Sequence, residues 1–198
     1  LVITIQVLPR FETVYQAFHH TAFQVSSIIT TTGYSTADFN EWNALSKTIL
    51  VLIMFVGACA GSTGGGIKVS RIIILLKGVR KEVMRVCHPR SIKKVKMDGH
   101  SLEHEAVHSV YAFVIIYICI FVVSLLVITL DEKDLVTNFT AVAATINNIG
   151  PGLNIVGPAG NFSSFSDLSK FVLMFDMLAG RLELLPLLVL FVPSTWKK

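Results

Sequence analysis

The longest unbroken apolar run, Tyr111–Leu130 (YAFVIIYICIFVVSLLVITL), carries no charge over 20 residues, the length a helix needs to cross the hydrocarbon core of a bilayer. Two further stretches approach that length with interruptions. Thr48–Ile67 is uncharged, but its second half reads GACAGSTGGG; Phe171–Trp196 is apolar apart from Asp176, Arg181 and Glu183. The opening run Leu1–Leu8 is too short to span and reads as the tail of a helix. Between these runs lie two amphipathic segments, Thr13–Ile29 and Leu135–Ile146, both read as helices, the second with Asp134 placed as an N-cap. Each leads into a short polar stretch containing glycine, TTTGYS and NNIGPG. A short helix followed by extended polar backbone, flanked by full spans, outlines a re-entrant pore loop. Irregular backbone at membrane depth is tolerated only where protein buries it or water lines it.

The pattern occurs twice. Gly33 aligns with Gly150 at an offset of 117 residues, which also brings Val25 onto Val142 and Ile29 onto Ile146. Leu45-Ser46-Lys47 recurs as Leu168-Ser169-Lys170 at an offset of 123, and in that register Met54 meets Met177 and Gly57 meets Gly180. The expected organisation is therefore a first unit over residues 1–76 (tail of a span, pore helix 13–29, filter 30–35, broken second span 46–76). A basic loop follows over 77–104. The second unit covers 105–198 (span 109–130, pore helix 135–146, filter 147–152, final span 168–194). Each unit crosses twice and starts on the same side, so an axis along the membrane normal can relate the copies; an inverted repeat would need an axis in the membrane plane. The predicted fold class is an all-α integral membrane protein of span–pore helix–filter–span repeats.

Composition and charge agree with this threading. The chain is 53% hydrophobic and only 15% charged, against about 25% charge in soluble domains. The net charge of +4 is concentrated in Lys77, Arg80, Lys81, Arg85, Arg90, Lys93, Lys94 and Lys96, between apolar stretches. This is the signature of a cytoplasmic loop rather than of a nucleic-acid-binding domain, and no nucleic-acid partner is expected. Asp131, Glu132, Asp134 and both pore loops then face outward. Cys59, Cys87 and Cys119 form neither a disulfide framework nor a zinc pattern. No nucleophile–base pair points to an enzyme.

A dehydrating cation needs a ring of oxygen dipoles, which an extended backbone supplies through its carbonyls. Glycine permits the backbone angles that aim them inward, and the negative end of a pore helix adds to the attraction. On these residues the chain resembles the Trk/Ktr/HKT superfamily of potassium transport proteins. TTTGYS is similar to that family's degenerate potassium filter, and GACAGSTGGGIKVSR (Gly57–Arg71) to the segment after its third filter. NNIGPG (Asn147–Gly152) is similar to its fourth filter, and GRLELLPLLVLFVPSTW (Gly180–Trp196) to its final helix. The resemblance implies that this chain holds the third and fourth of four pore repeats. Thr31, Thr32, Gly33 and Tyr34 would line one quarter of the filter, and Asn148, Ile149, Gly150 and Pro151 another. Potassium would be held by the carbonyls of Thr31, Thr32, Gly33, Asn148, Ile149 and Gly150, as the transported ion and not as a bound cofactor. The implied partners are the other two repeats, a second copy of the subunit, a cytosolic nucleotide-binding regulatory ring and the lipid bilayer. The implied location is the bacterial inner membrane, with multiple passes. The competing class is an ion-coupled secondary transporter with broken helices.

Gly57, Gly61, Gly64, Gly65 and Gly66 fall within ten residues of a nominal span, and each disfavours helix by about 1 kcal/mol. A break is predicted near Ala60–Gly66. Close helix packing through Gly57-xxx-Gly61 leaves the triple glycine unexplained. A phosphate loop is excluded because Ile67 separates Gly66 from Lys68. The resemblance identifies Gly61, Ser62, Thr63, Gly64, Gly65, Gly66 and Lys68 with an intramembrane gating loop. Arg181, a charge within a span, needs a cavity or partner. It is expected to latch and screen that loop, to pair with Asp176 or Glu183, or to do both.

Overall fold

The structure, a computed structural model, describes residues 1–59, 61–62, 64–88, 96–97, 100–182 and 189. Seven helices carry the described chain: α1 (Val2–Val7), α2 (Val14–Ile29), α3 (Ala44–Met54), α4 (Val69–Cys87), α5 (His104–Ile128), α6 (Leu135–Ile146) and α7 (Asp167–Arg181). Two minimal strand pairs complete it. β1 (Val56–Gly57) runs parallel to β2 (Ile67–Lys68), and β3 (Lys96–Met97) runs antiparallel to β4 (His100–Ser101).

Side-chain caps set the starts of α2, α6 and α7. Thr13 accepts from Gln16 N at 3.2 Å, Asp134 from Val136 N and Thr137 N, and Ser166 from Ser169 N, each satisfying amides that no helical carbonyl reaches. Helix α5 is 25 residues long, about 38 Å at the α-helical rise. With the turn that follows, it is the one described helix long and apolar enough to cross a membrane unaided, at mean hydropathy 3.1.

The helices pack as two three-helix units. In the N-terminal unit Ile3 and Val7 of α1, Ile28 of α2 and Leu50 and Met54 of α3 close a core with Phe39 and Trp42. In the C-terminal unit Phe113, Tyr117 and Phe121 of α5 meet Ala141–Ala143 and Ile146 of α6, and Leu173 and Ala179 of α7. Each core borrows from the other unit: Ile149 and Leu153 enter the first, while Phe55 and Ile67 lie against the second. Phe55, Phe121 and Phe139 form an aromatic triangle with centroids 5.2–6.1 Å apart. Such contacts add about 0.5–1.5 kcal/mol per pair beyond area burial. Across the two units, Asn40 Nδ2 donates to Asn154 O at 3.0 Å, and Asn154 N donates to Asn40 Oδ1 at 2.8 Å.

Two expected boundaries move. The break in the second span begins at Phe55, not near Ala60, and helix resumes only at Val69. The cause lies in Val56 and Gly57, whose extended backbone pairs with Ile67 and Lys68. A Cβ at Gly57 would sit 2.5 Å from Gly65 O, so the contact needs glycine, and it is not helix-on-helix packing. The second shift concerns the basic segment read as a loop over 77–104. Its first residues, through Cys87, continue α4. Ile72, Leu76, Val79, Val83 and Val86 recur at helical spacing, and Glu82 pairs with Arg85 at 3.6 Å one turn on. Arg90, Lys93 and Lys94 lie outside the described residues, as does the part of the expected final span after Leu182 apart from Val189.

Candidate pore lining and gate

Where α2 and α6 end, the backbone repeats itself at the 117-residue offset. Thr31 (φ 55°) and Gly33 (φ 77°) are left-handed after α2; Asn148 (φ 55°) and Gly150 (φ 101°) are left-handed after α6. Glycine adopts this region freely, whereas other L-residues pay a steric penalty. The hydrogen bonds recur in the same register. After α2, Thr30 N donates to Ser26 O, Thr31 N to Ile28 O, and Thr32 N and Gly33 N to Ser27 O. After α6, Asn147 N donates to Ala143 O, Asn148 N to Thr145 O, and Ile149 N and Gly150 N to Ala144 O. Left-handed residues alternating with others swing successive peptide planes, and carbonyls near the ends of α2 and α6 take up the amides. Among the described residues, no donor reaches the carbonyls of Thr31, Thr32, Gly33, Asn148, Ile149 or Gly150. The Tyr34 carbonyl differs: Ser27 Oγ donates to it at 2.6 Å, which anchors the outgoing end of the segment to the helix.

The two segments touch. A Cβ at Gly33 would lie 2.1 Å from Ile149 O and 3.4 Å from Pro151 Cδ. At the equivalent position, Gly150, a Cβ would meet nothing within 4 Å.

The glycine-rich loop packs against the root of the second segment. A Cβ at Gly65 would meet Asn147 O at 2.3 Å, one at Gly66 would meet Asn147 Oδ1 at 3.0 Å, and one at Gly64 would meet Thr31 Oγ1 at 3.4 Å. Gly61 (φ 82°) and Gly66 (φ 79°) are left-handed. Gly64 N donates to Ser62 Oγ at 3.0 Å. The parallel pairing of β1 with β2 closes the base of the loop, so α3 and α4 continue in one direction above and below it. Thr63 lies outside the described residues.

Arg181, at the end of α7, shares a small cavity with Ser62, Gly64, Gly66, Lys68 and Arg71. Arg71 lies over the Phe113 ring, 4.0 Å from its centroid. Of the two carboxylates considered for Arg181, Asp176 is fully buried and accepts instead from Ser124 Oγ at 2.7 Å; Glu183 lies outside the described residues. The sequence places Asn147 at the start of the expected 147–152 filter stretch without giving it a role of its own; the structure shows its side chain fully buried. Tyr117 Oη donates to its Oδ1 at 2.9 Å, and its Nδ2 donates to Ala143 O at 2.8 Å. The available signal was Tyr117, a hydroxyl-bearing ring in the middle of the apolar span. In the sequence, Gly180 stands out as a repeat match and as the start of the final-helix resemblance. A Cβ there would lie 1.8 Å from Ile146 O, so its missing side chain lets α7 close onto the end of α6.

Helical spans enclosing short helices that end in irregular, carbonyl-rich backbone define an all-α membrane fold. Residues 10–198 match the family model for TrkH, described as a cation transport protein, and the chain belongs to that family. It is 40% identical over 186 residues to the Trk system potassium uptake protein TrkH of Escherichia coli strain K12, covering 94% of this chain and 37% of that protein. It is 42% identical over 183 residues to the TrkH protein of Vibrio parahaemolyticus, covering 92% and 37%. The crystal structure of the potassium transporter TrkH from Vibrio parahaemolyticus superposes with a TM-score of 0.88 at 39% identity, over 99% of this chain and 42% of that one. The chain thus spans a little over a third of the length of these relatives. Their names are those of transport proteins, and a membrane location follows.

Proposed function

We propose that this chain supplies two pore-lining segments and the gate of a protein that conducts monovalent cations, with potassium as the ion carried. The matched backbone at Thr31/Gly33 and Asn148/Gly150, with its repeated hydrogen bonds, carries the reading. Two copies of one left-handed, carbonyl-exposing turn, each at the negative end of a short helix, are what a pseudo-symmetric cation filter requires. The carbonyls of Thr31, Thr32, Gly33, Asn148, Ile149 and Gly150 replace the ion's water, and Pro151 and the Tyr34 segment hold the outer ends. Loop 61–66 obstructs the path beneath Asn147, while Arg181 and Lys68 place positive charge beside it and repel cations. The potassium uptake named for the relatives supports the choice of ion. Two further pore repeats, a second subunit copy, a nucleotide-binding regulatory ring and a multi-pass inner-membrane setting belong to the same reading and rest on the family alone.

The test is potassium and sodium flux into liposomes carrying the full-length protein that contains this segment, with and without Gly33→Ser. Gly33 is left-handed, and a Cβ there would overlap Ile149 O, so the substitution deforms both segments at once. Potassium-preferring flux that loses its preference in the variant supports the reading. No flux from folded, correctly oriented protein removes it in favour of the coupled-transporter alternative.

A further inference from the structure

Asn147 is the point where the glycine loop, the second filter segment and α5 meet. Its side chain is fully buried and its amide orientation is fixed at both ends, with Nδ2 on the Ala143 carbonyl and Oδ1 under the Tyr117 hydroxyl. A Cβ at Gly65 would stand 2.3 Å from its backbone carbonyl, which leaves no room for a side chain, and one at Gly66 would stand a tight 3.0 Å from Oδ1. The next residue, Asn148, begins the left-handed turn and donates through Nδ2 to Met177 O on α7 at 2.9 Å. Among the described residues, the N-terminal unit has no such junction. Its equivalent residue, Thr30, is exposed and turns its hydroxyl locally onto Ser26 O and Thr32 Oγ1.

We propose that Tyr117 and Asn147 are positioning residues that seat the gating loop against the second filter segment, so that loop release and filter geometry are coupled through this one hydrogen bond. The inference rests on the pore reading above. Without the tyrosine hydroxyl, Asn147 Oδ1 is left as a buried acceptor with no donor, a state that buried groups avoid by moving. Movement of Asn147 shifts the surface on which Gly65 and Gly66 rest and, one residue on, the backbone of Asn148. Loop and filter therefore loosen together, which distinguishes the pair from groups that only brace the fold.

The experiment compares the full-length protein with Tyr117→Phe, Gly66→Ala and the double variant in liposomes, reading basal potassium flux and the potassium-to-sodium ratio. Tyr117→Phe keeps the ring and its packing, so folding is preserved. Basal flux is expected to rise roughly fivefold, the equivalent of one net hydrogen bond, with a simultaneous fall in the ratio. Gly66→Ala pushes the loop from the same seat, so the two effects should overlap and not multiply. A folded Tyr117→Phe protein with unchanged or reduced flux overturns the proposal. So does a rise in flux with selectivity intact, or effects that multiply in the double variant. A parent protein that conducts no cation at all defeats the underlying pore reading instead, and the two failures are separate.

Discussion

Gly180→Ala is a perturbation whose sign tests the packing. In a helix exposed to solvent or lipid, replacing glycine with alanine stabilises by up to about 1 kcal/mol, because alanine restricts the unfolded chain and favours helix. At Gly180 the added Cβ would stand 1.8 Å from Ile146 O, 2.8 Å from Ile146 C and 3.0 Å from Asn148 Nδ2. The closest of these is backbone, held in the last turn of α6, and it cannot rotate away. For an ordinary contact of about 3.5 Å, α7 must withdraw by roughly 1.7 Å. That motion strains the Asn148 Nδ2 to Met177 O bond, a loss of about 1 kcal/mol. Overpacking adds about 1–3 kcal/mol. The destabilising effects exceed the propensity gain, so the net change is a loss of about 1–3 kcal/mol. The assay is thermal unfolding of the purified full-length protein, followed by potassium and sodium flux. A lower Tm with a weakened potassium preference is expected, since Asn148 begins the second segment. A Tm that rises, with flux unchanged, would refute the close approach of α7 to α6.

Arg181→Ala should raise cation flux on the order of tenfold, since a unit charge changes the energy of a cation about 10 Å away by about 1.5 kcal/mol at an effective dielectric of about 20. Arg181→Lys should leave flux low; unchanged flux with lost expression in the alanine variant would assign Arg181 a structural part. Asn40→Ala removes both bonds to Asn154 and should lower stability by about 1–2 kcal/mol in thermal unfolding, with selectivity kept. Gly157→Ala, whose Cβ would lie 1.9 Å from Asn40 Nδ2, should be more destabilising alone than in the Asn40→Ala background, where that obstacle is gone.

The features legible in the sequence were those with local causes. Helix α6 begins where Asp134 can cap it and ends before the residues that turn left-handed. The doubled glycine at 33 and 150 marked equivalent turns. The left-handed state of Thr31 and Asn148 was not legible, because neither residue advertises it; carbonyls of the preceding helix impose it by capturing the next amides. The early end of α3 was hidden because Met54, Phe55 and Val56 suit a helix, and the competing partner, Ile67–Lys68, is nonlocal. The basic segment misled for a different reason. Positive charge reports on the side of the membrane, and it was read as loop although the apolar positions from Ile72 to Val86 keep a helical period through Cys87. Asn147 looked like one more polar residue before a glycine, and its burial under Tyr117 is a tertiary fact.

The differences between the two units carry as much meaning as the repeat. Gly57 and Gly180 occupy matching positions, and both are glycine because backbone presses on them, but the backbone differs. At Gly180 it is the carbonyl ending α6, and α7 runs past it to Arg181; at Gly57 it is the carbonyl of Gly65. The N-terminal unit therefore inserts its own loop into the space that, in the C-terminal unit, the end of α6 fills. That inserted loop then reaches across to Asn147, a residue of the other unit. Under the function proposed above, an obstruction made by one repeat and seated on the next can be released by a small relative shift of the two. A loop seated wholly within its own repeat would move with that repeat and stay closed.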